Sequence, residues 1–137
     1  MRRERATSSG ASGDSNAILA ELVRQGCTRT ALVPIVDAPA VKACFAAGIG
    51  AEITVNVGGS LDPRFTPLTV TGRVRVLSDG HMNSESHGEH WYAGLSAVLQ
   101  AGPNTLVLMS RPVSLYDRTP FLVNGQDPAA FDMTVVK

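Results

Sequence analysis

The chain has 137 residues, of which 44% are hydrophobic and 5% aromatic, and its twelve basic and twelve acidic side chains cancel. This length suits one globular domain with a buried core. The balanced charge and the few aromatics argue against nucleic acid or an anionic membrane as the main partner, and no run of about 18 apolar residues is present to span a membrane.

The first nine residues are predicted to form a flexible tail, and residues 10–137 the folded domain. The start of the chain, MRRERATSSG, carries the positive charge of a signal peptide but lacks its apolar stretch. Without a secretion signal, the two cysteines, Cys27 and Cys44, indicate reduced thiols. The sequence therefore predicts a cytoplasmic protein.

A glycine- and serine-rich segment, SSGASGDSN at 8–16, precedes the first predicted helix at 15–25. The start of a helix offers unpaired amides and a partial positive charge, which bind anions. Gly10 and Gly13 would let a ligand approach the backbone closely. The segment matches neither the nucleotide P-loop nor the dinucleotide glycine pattern. It predicts either a helix cap with a flexible linker or an anion cradle.

The next segments are a strand, a helix and a strand. TALVPIV at 30–36 is an apolar run typical of a strand covered on both faces, although Pro34 indicates a bulge or a position near an edge. The helix at 37–48 is capped by Asp37 and ended by a glycine. The following strand at 51–57 alternates apolar and polar residues. This order predicts a right-handed crossover.

The second half of the chain is predicted to consist mainly of strands. In chain order the segments are a strand at 68–76, a polar loop at 78–90, two hairpin strands at 94–100 and 104–110, a short helix within 115–125 and a last strand at 131–137. Gly72 indicates a bulge, and Pro120 shortens or interrupts the helix. The sequence thus predicts an α/β fold, with a mixed sheet, an initial β-α-β unit, later antiparallel hairpins and covering helices.

All three histidines, His81, His87 and His90, lie in the predicted polar loop, together with Glu85 and Glu89. Imidazole and carboxylate groups are zinc ligands, so His87 and His90 are candidate metal ligands. A zinc-protease motif, however, places its histidines four apart on a helix, with a glutamate directly after the first. The pattern here favours a solvated polar loop over a metal site.

Polar residues also follow the apolar strand at 104–110. Ser110, Arg111 and Asp117 stand at or beyond its end, where sheets with parallel strands often carry active-site groups. Arg111 is predicted either to hold a carboxylate through a two-pronged contact or to pair with a structural acid.

Five stretches, in this order and spacing, resemble the C-terminal domain of the microcystinase C-like (MlrC-like) metallopeptidases. They are GASGDSNAILAELVRQG, ALVPIVDAPAVKACFAAGIGAEITVNVGG, GRVRVLSDG, TLVLMSRPVSLYD and GQDPAAFDMTVVK. The resemblance runs from about residue 10 to residue 137, nearly the whole chain.

The resemblance implies a two-domain zinc hydrolase that acts on small or linearised peptides. An N-terminal domain would hold the metal, and the C-terminal domain would lend a glycine-rich loop to the cleft. By matching position, Gly10, Gly13, Asp14 and Arg111 are the implied substrate- or anion-binding residues. The family lends the histidines of this chain no metal role, so zinc is implied for the complete enzyme only. The implied partners are the N-terminal metal-binding domain or a second copy of the chain.

The sequence departs from the family pattern at its start. Nothing in it matches the metal-binding domain, and residues 6–9 read Ala-Thr-Ser-Ser where the family has Asp-Asn-Pro-Gly. We therefore expect a chain cut or restarted at a domain boundary, and a C-terminal domain that is inactive alone. Two alternatives are a stand-alone docking subunit for a separate metal-binding domain, and a small independent metal hydrolase using the loop from His81 to His90.

Overall fold

A computed structural model describes residues 17–58, 66–83, 88–112 and 118–135 of the chain. The helices are α1 (Ala17–Arg24), α2 (Ala38–Ala47) and α3 (Thr119–Leu122), with a 3-10 turn at Pro128–Ala130. The strands are β1 (Ala31–Val36), β2 (Glu52–Val57), β3 (Leu68–Ser78), β4 (His81–Asn83), β5 (His90–Tyr92), β6 (Ser96–Ala101), β7 (Asn104–Met109) and β8 (Met133–Thr134). No helix within the described ranges has the length and apolar character needed to traverse a membrane.

Six of the strands form one mixed sheet in the order β2-β3-β6-β7-β1-β8. Strand β1 runs parallel to β7 on one side and to β8 on the other, whereas β2, β3, β6 and β7 pair antiparallel in sequence. The predicted hairpin of β6 and β7 is present, and the predicted α/β fold with a mixed sheet and covering helices is confirmed.

The two strands that flank α2 do not form the crossover that the strand-helix-strand order predicted. Strand β1 pairs with β7 and β8, and β2 lies at the opposite edge of the sheet, paired only with β3 within the described residues. The burial of the two strands explains the separation. All six residues of β1 are buried, so it needs a neighbour on each side and cover on both faces, whereas β2 alternates exposed and half-buried residues and tolerates an edge.

The sheet separates two apolar clusters because successive side chains of a strand point to opposite faces. On one face, α1 and α2 pack their buried side chains, including Leu19 and Val41, against Val33 and its neighbours. On the other face, Leu32 packs with residues of α3 and of the β4–β5 hairpin, among them Phe121. The helices thus cover the sheet on one side, and a short helix and a hairpin cover it on the other.

Pro34 is accommodated without a bulge. The carbonyls of Thr30 and Leu32 accept hydrogen bonds from β8, so the backbone of Pro34 faces the same side of β1. The pairing of β1 with β8 ends at Leu32. Among the described residues, none of β8 therefore stands opposite the missing N–H of the proline.

Two local predictions were wrong. The register shift in β3 falls between Val74 and Val76, not at Gly72. A Cβ at Gly72 would meet the carbonyl oxygen of Gln100 at 2.6 Å, so this glycine allows β6 to approach closely. Pro120 does not interrupt α3 but stands in its first turn, where a proline loses no helical hydrogen bond.

Candidate functional site

The parallel strands β1 and β7 end at the same edge of the sheet, and the residues that follow them form the candidate site. Asp37 follows β1, and Ser110 and Arg111 follow β7. The backbone N–H of Asp37 donates to the carbonyl of Met109 at 2.8 Å, which holds the two strand ends together. Binding groups gather at such edges because parallel strands direct their following loops to one place.

Asp37 fastens this edge rather than facing a ligand. Its side chain is 2% exposed, and both carboxylate oxygens are occupied. Oδ1 accepts the N–H of Ala40 at 3.0 Å, which caps α2 as predicted, and Oδ2 accepts the N–H of Gly58 at 2.8 Å. The carboxylate therefore ties the start of α2 to the end of β2.

A groove of about 270 Å³ opens beside this edge. Its walls are mainly apolar and include Phe45, which is 37% exposed, and Leu95, which is 48% exposed. Lys42 and Ser110 supply polar groups to the lining, and the Ser110 hydroxyl donates to the carbonyl of Leu95. Apolar walls with a few polar groups are typical of a binding site.

Arg111 lies at the edge where its position in the sequence predicted. Its guanidinium carbon is 5.3 Å from the centroid of the Tyr92 ring, a cation–π contact. A Cβ on Gly94 would meet Cβ of Ser110 at 2.7 Å and Cγ of Arg111 at 3.2 Å. Because Gly94 has no side chain, the segment after β5 packs directly against the stem of the arginine, and the guanidinium remains exposed.

The prediction of a polar loop over 78–90 was wrong at His81–Asn83 and at His90, which belong to strands β4 and β5. These strands form a two-stranded antiparallel sheet with His81 opposite Tyr92 and Asn83 opposite His90. Each strand has an apolar residue at its centre, Met82 in β4 and Trp91 in β5, with an exposed residue on either side. This alternation is the signal that the sequence analysis missed. Tyr92, the ring that contacts Arg111, was therefore not predicted as part of the site.

The structure joins a different pair of histidines from the predicted His87 and His90. Nδ1 of His81 lies 2.9 Å from Nε2 of His90. His87 lies outside the described residues, as do Gly10, Gly13 and Asp14. Within the described ranges, no group of three or more His, Cys, Asp and Glu side chains is placed to hold a metal ion.

Neither cysteine is among the residues that line the groove. Cys44 is buried in the core between α2 and the sheet, and this burial raises the pKa of its thiol because the thiolate would lose its hydration. Cys27 is half-buried. The prediction that Cys44 fills the core agrees with this position.

Comparison with known proteins identifies relatives along nearly the whole chain. Residues 6–137 match the model of a family described as the MlrC C-terminus. Over 129 residues the chain is 34% identical to Microcystinase C of a Sphingomonas species, covering 93% of this chain and 25% of that protein. The crystal structure of a candidate metallopeptidase from Mesorhizobium sp. BNC1 has the same fold, with a TM-score of 0.84 at 23% identity over 92% of this chain and 26% of that one. The chain thus spans about a quarter of the length of each.

Proposed function

Because the chain belongs to the MlrC C-terminus family, we propose that it is the substrate-positioning domain of a metallopeptidase, whose metal is held by residues elsewhere. The observation that carries this proposal is the edge where β1 and β7 end. There an exposed arginine, Arg111, directly follows Ser110, which lines an apolar groove. An apolar side chain and a nearby anionic group are the two features that such an edge would recognise in a peptide.

Arg111 supplies the anion-binding part of this role. A guanidinium forms charge-assisted, two-pronged hydrogen bonds with a carboxylate, and it is always charged at physiological pH. The ring of Tyr92 on one side and Gly94 against its stem hold it beside the end of β7. Two restraints on a long side chain reduce the entropy lost when a ligand binds.

The glycine-rich segment before α1 is proposed as the second anion-binding element. Only six residues separate the end of α1 from the start of β1, and α1 packs on the sheet. The structure describes α1 from its first residue, Ala17, and places its buried side chains on the face of the sheet that α2 also covers. We propose that the chain before Ala17, with Gly10, Gly13 and Asp14, which lies outside the described residues, contributes backbone amides to anion binding at this edge.

Generation of the attacking hydroxide is not assigned to this part of the chain. The described residues place no three metal-ligating side chains together, so they do not fit a catalytic zinc site. The side chains of this domain act by binding and orienting the peptide. An isolated chain is accordingly expected to bind peptide without hydrolysing it.

A matched pair of ligands tests the proposed role of Arg111. A short linear peptide with a free C-terminal carboxylate and the same peptide as its C-terminal amide are titrated into the chain and followed by NMR. The acid is expected to bind more tightly, and Arg111→Ala to lower its affinity about tenfold, the loss expected for a hydrogen bond to a charged group. Arg75→Ala, which alters an exposed arginine on β3, is the control. Equal affinity of wild type and Arg111→Ala for the acid would overturn the proposal.

A peptidase assay tests the second part. Incubation of the isolated chain with linear peptides and equimolar Zn²⁺ is expected to give no turnover above background. Turnover that a chelator abolishes, and that His81→Ala or His90→Ala also abolishes, would instead establish an independent metal hydrolase. The titration and the assay have separate readouts, so either part of the proposal can fail alone.

The groove also supports a second function, docking of this domain on a metal-binding partner. Its walls leave Phe45 and Leu95 partly exposed at the edge that carries Arg111. The chain spans only 25% of Microcystinase C, and a partner containing the remaining three-quarters of such a protein is the occupant that we favour. In this second function the groove is covered by the partner and does not hold a side chain of the peptide.

Sedimentation analysis tests this docking. The chain is mixed with a metal-binding partner comprising the rest of the Sphingomonas protein, and complex formation is measured. Leu95→Ser is expected to weaken the complex, whereas Ile49→Ser, which changes a side chain that is 66% exposed outside the groove, is expected to leave it unchanged. A dimer of this chain alone that Leu95→Ser dissociates would assign the groove to a second copy instead.

A further inference from the structure

Two histidines from neighbouring strands face each other on the surface of the β4–β5 hairpin. Nδ1 of His81 and Nε2 of His90 are 2.9 Å apart, and the ring centroids are 5.1 Å apart. His81 lies opposite Tyr92 and Asn83 lies opposite His90, so the two histidines are diagonal neighbours on one face of the hairpin. Both side chains are exposed and accessible to an ion from solvent.

A second contact determines which nitrogen of His90 is free. Nδ1 of His90 lies 3.4 Å from Oδ1 of Asn83. A carbonyl oxygen only accepts hydrogen bonds, so this contact favours the tautomer of His90 with the proton on Nδ1 and a lone pair on Nε2. That lone pair accepts the proton on Nδ1 of His81. A hydrogen bond from the remote ring nitrogen to an oxygen is the arrangement that orients histidines in metal sites.

The backbone around the pair is well anchored. The ring of His81 packs on that of Tyr92, with centroids 4.5 Å apart. At the base of the hairpin, the N–H of Ala93 donates to the carbonyl of Gly80 at 2.9 Å, and the N–H of Arg111 donates to the carbonyl of Ala93 at 2.8 Å. These bonds join the hairpin to the end of β7, so ion binding would not require the two strands to be brought together first.

We propose that His81 and His90 together bind a divalent transition-metal ion, at a site independent of the peptide-positioning role. Metal–nitrogen bonds of about 2.0–2.1 Å place adjacent ligand nitrogens about 2.9 Å apart in square-planar geometry and about 3.3 Å apart in tetrahedral geometry. The observed 2.9 Å is the length of a hydrogen bond, so it shows that both nitrogens come close enough to share one ion and does not itself select the metal. The rings need only rotate about their side-chain bonds until both lone pairs point to one position.

The ion takes the place of the proton that the two rings share. When His81 is neutral, its proton moves through solvent from Nδ1 to Nε2, and Nδ1 binds the metal without net proton release. Water molecules complete the coordination, and the bound ion links β4 to β5.

A titration with Ni²⁺ tests the proposal on protein without a histidine tag. Isothermal calorimetry at about pH 7.5 is expected to give one ion per chain. His81→Ala and His90→Ala are each expected to lower the affinity at least about tenfold, because one imidazole alone binds weakly. His87→Ala is the matched control, since it removes a histidine from the same segment and is expected to change the affinity less than about threefold.

Two results would overturn the site. One is uptake of Ni²⁺ by the His81→Ala/His90→Ala double variant equal to that of wild type, and the other is a series in which only His87→Ala lowers the affinity. Circular dichroism establishes that each variant is folded. If a variant unfolds, electron paramagnetic resonance of wild type with one equivalent of Cu²⁺ decides, because the spectrum counts nitrogen ligands: two support the site, and one or none overturns it.

Discussion

Replacing Asp37 by alanine tests whether one buried carboxylate holds the edge of the sheet together. The substitution removes the cap of α2, which costs about 1 kcal/mol. It also leaves the N–H of Gly58, a buried residue, without its acceptor, which costs about 1–3 kcal/mol. The free energy of unfolding is therefore expected to fall by about 2–4 kcal/mol, which lowers Tm by about 7–14 °C for a chain of 137 residues.

Thermal and urea unfolding, followed by circular dichroism, measure this loss. Asp37→Asn is expected to lose less stability than Asp37→Ala. Its amide keeps one oxygen to accept a backbone N–H, but its NH₂ group faces the other N–H, which is also a donor. Asp127→Ala is the matched control, since this exposed aspartate also caps a helical turn, accepting the N–H of Ala129 at 2.9 Å. If Asp37→Ala and Asp127→Ala lose the same stability, the carboxylate of Asp37 does not join α2 to β2 and the reasoning is refuted.

Two other predictions concern the hairpin and the core. Gly80 has a positive φ, and a Cβ there would clash with the backbone of Gly94. Gly102 also has a positive φ but has open space around it, so Gly102→Ala is the control for backbone strain alone. Gly80→Ala is expected to lower the free energy of unfolding by at least about 2 kcal/mol more than Gly102→Ala, and equal urea midpoints would contradict this. Because burial raises the pKa of Cys44, its thiolate fraction at about pH 8 is below that of an ordinary thiol. Iodoacetamide is therefore expected to alkylate Cys27 first, as mass spectrometry would record, and equal rates would contradict the placement of Cys44.

Local sequence patterns predicted those parts of the fold that depend on neighbouring residues. The apolar run of β1, the alternation of β2, the cap at Asp37 and the β6–β7 hairpin all follow from side chains within a few positions of each other. The order of strands does not, because β1 pairs with residues more than seventy positions away in β7. Burial indicated that β1 needs two neighbours, but not which strands would supply them.

The residues of the candidate site were likewise predicted only where they depend on neighbours in the sequence. Arg111 was predicted from its place after an apolar strand, whereas its partner Tyr92 was not, since β5 has only three residues and is held by contacts at Gly80 and Gly94. Spacing along the chain paired His87 with His90. The antiparallel register of β4 and β5 instead brings His81 to His90 across nine positions, a pairing that no local pattern contains.

The topology of β1 also constrains how the protein is made. This strand is completely buried, yet both of its neighbours come from much later segments, 104–109 and 133–134. During synthesis the most apolar strand leaves the ribosome long before either neighbour exists, so for that interval it must be shielded by α1 and α2 or by a chaperone. A polypeptide released before residue 104 is made would contain β1 without either of its neighbouring strands. Such an unpaired apolar strand is prone to aggregation, so the truncated product is expected to aggregate or be degraded and not to form a smaller folded domain.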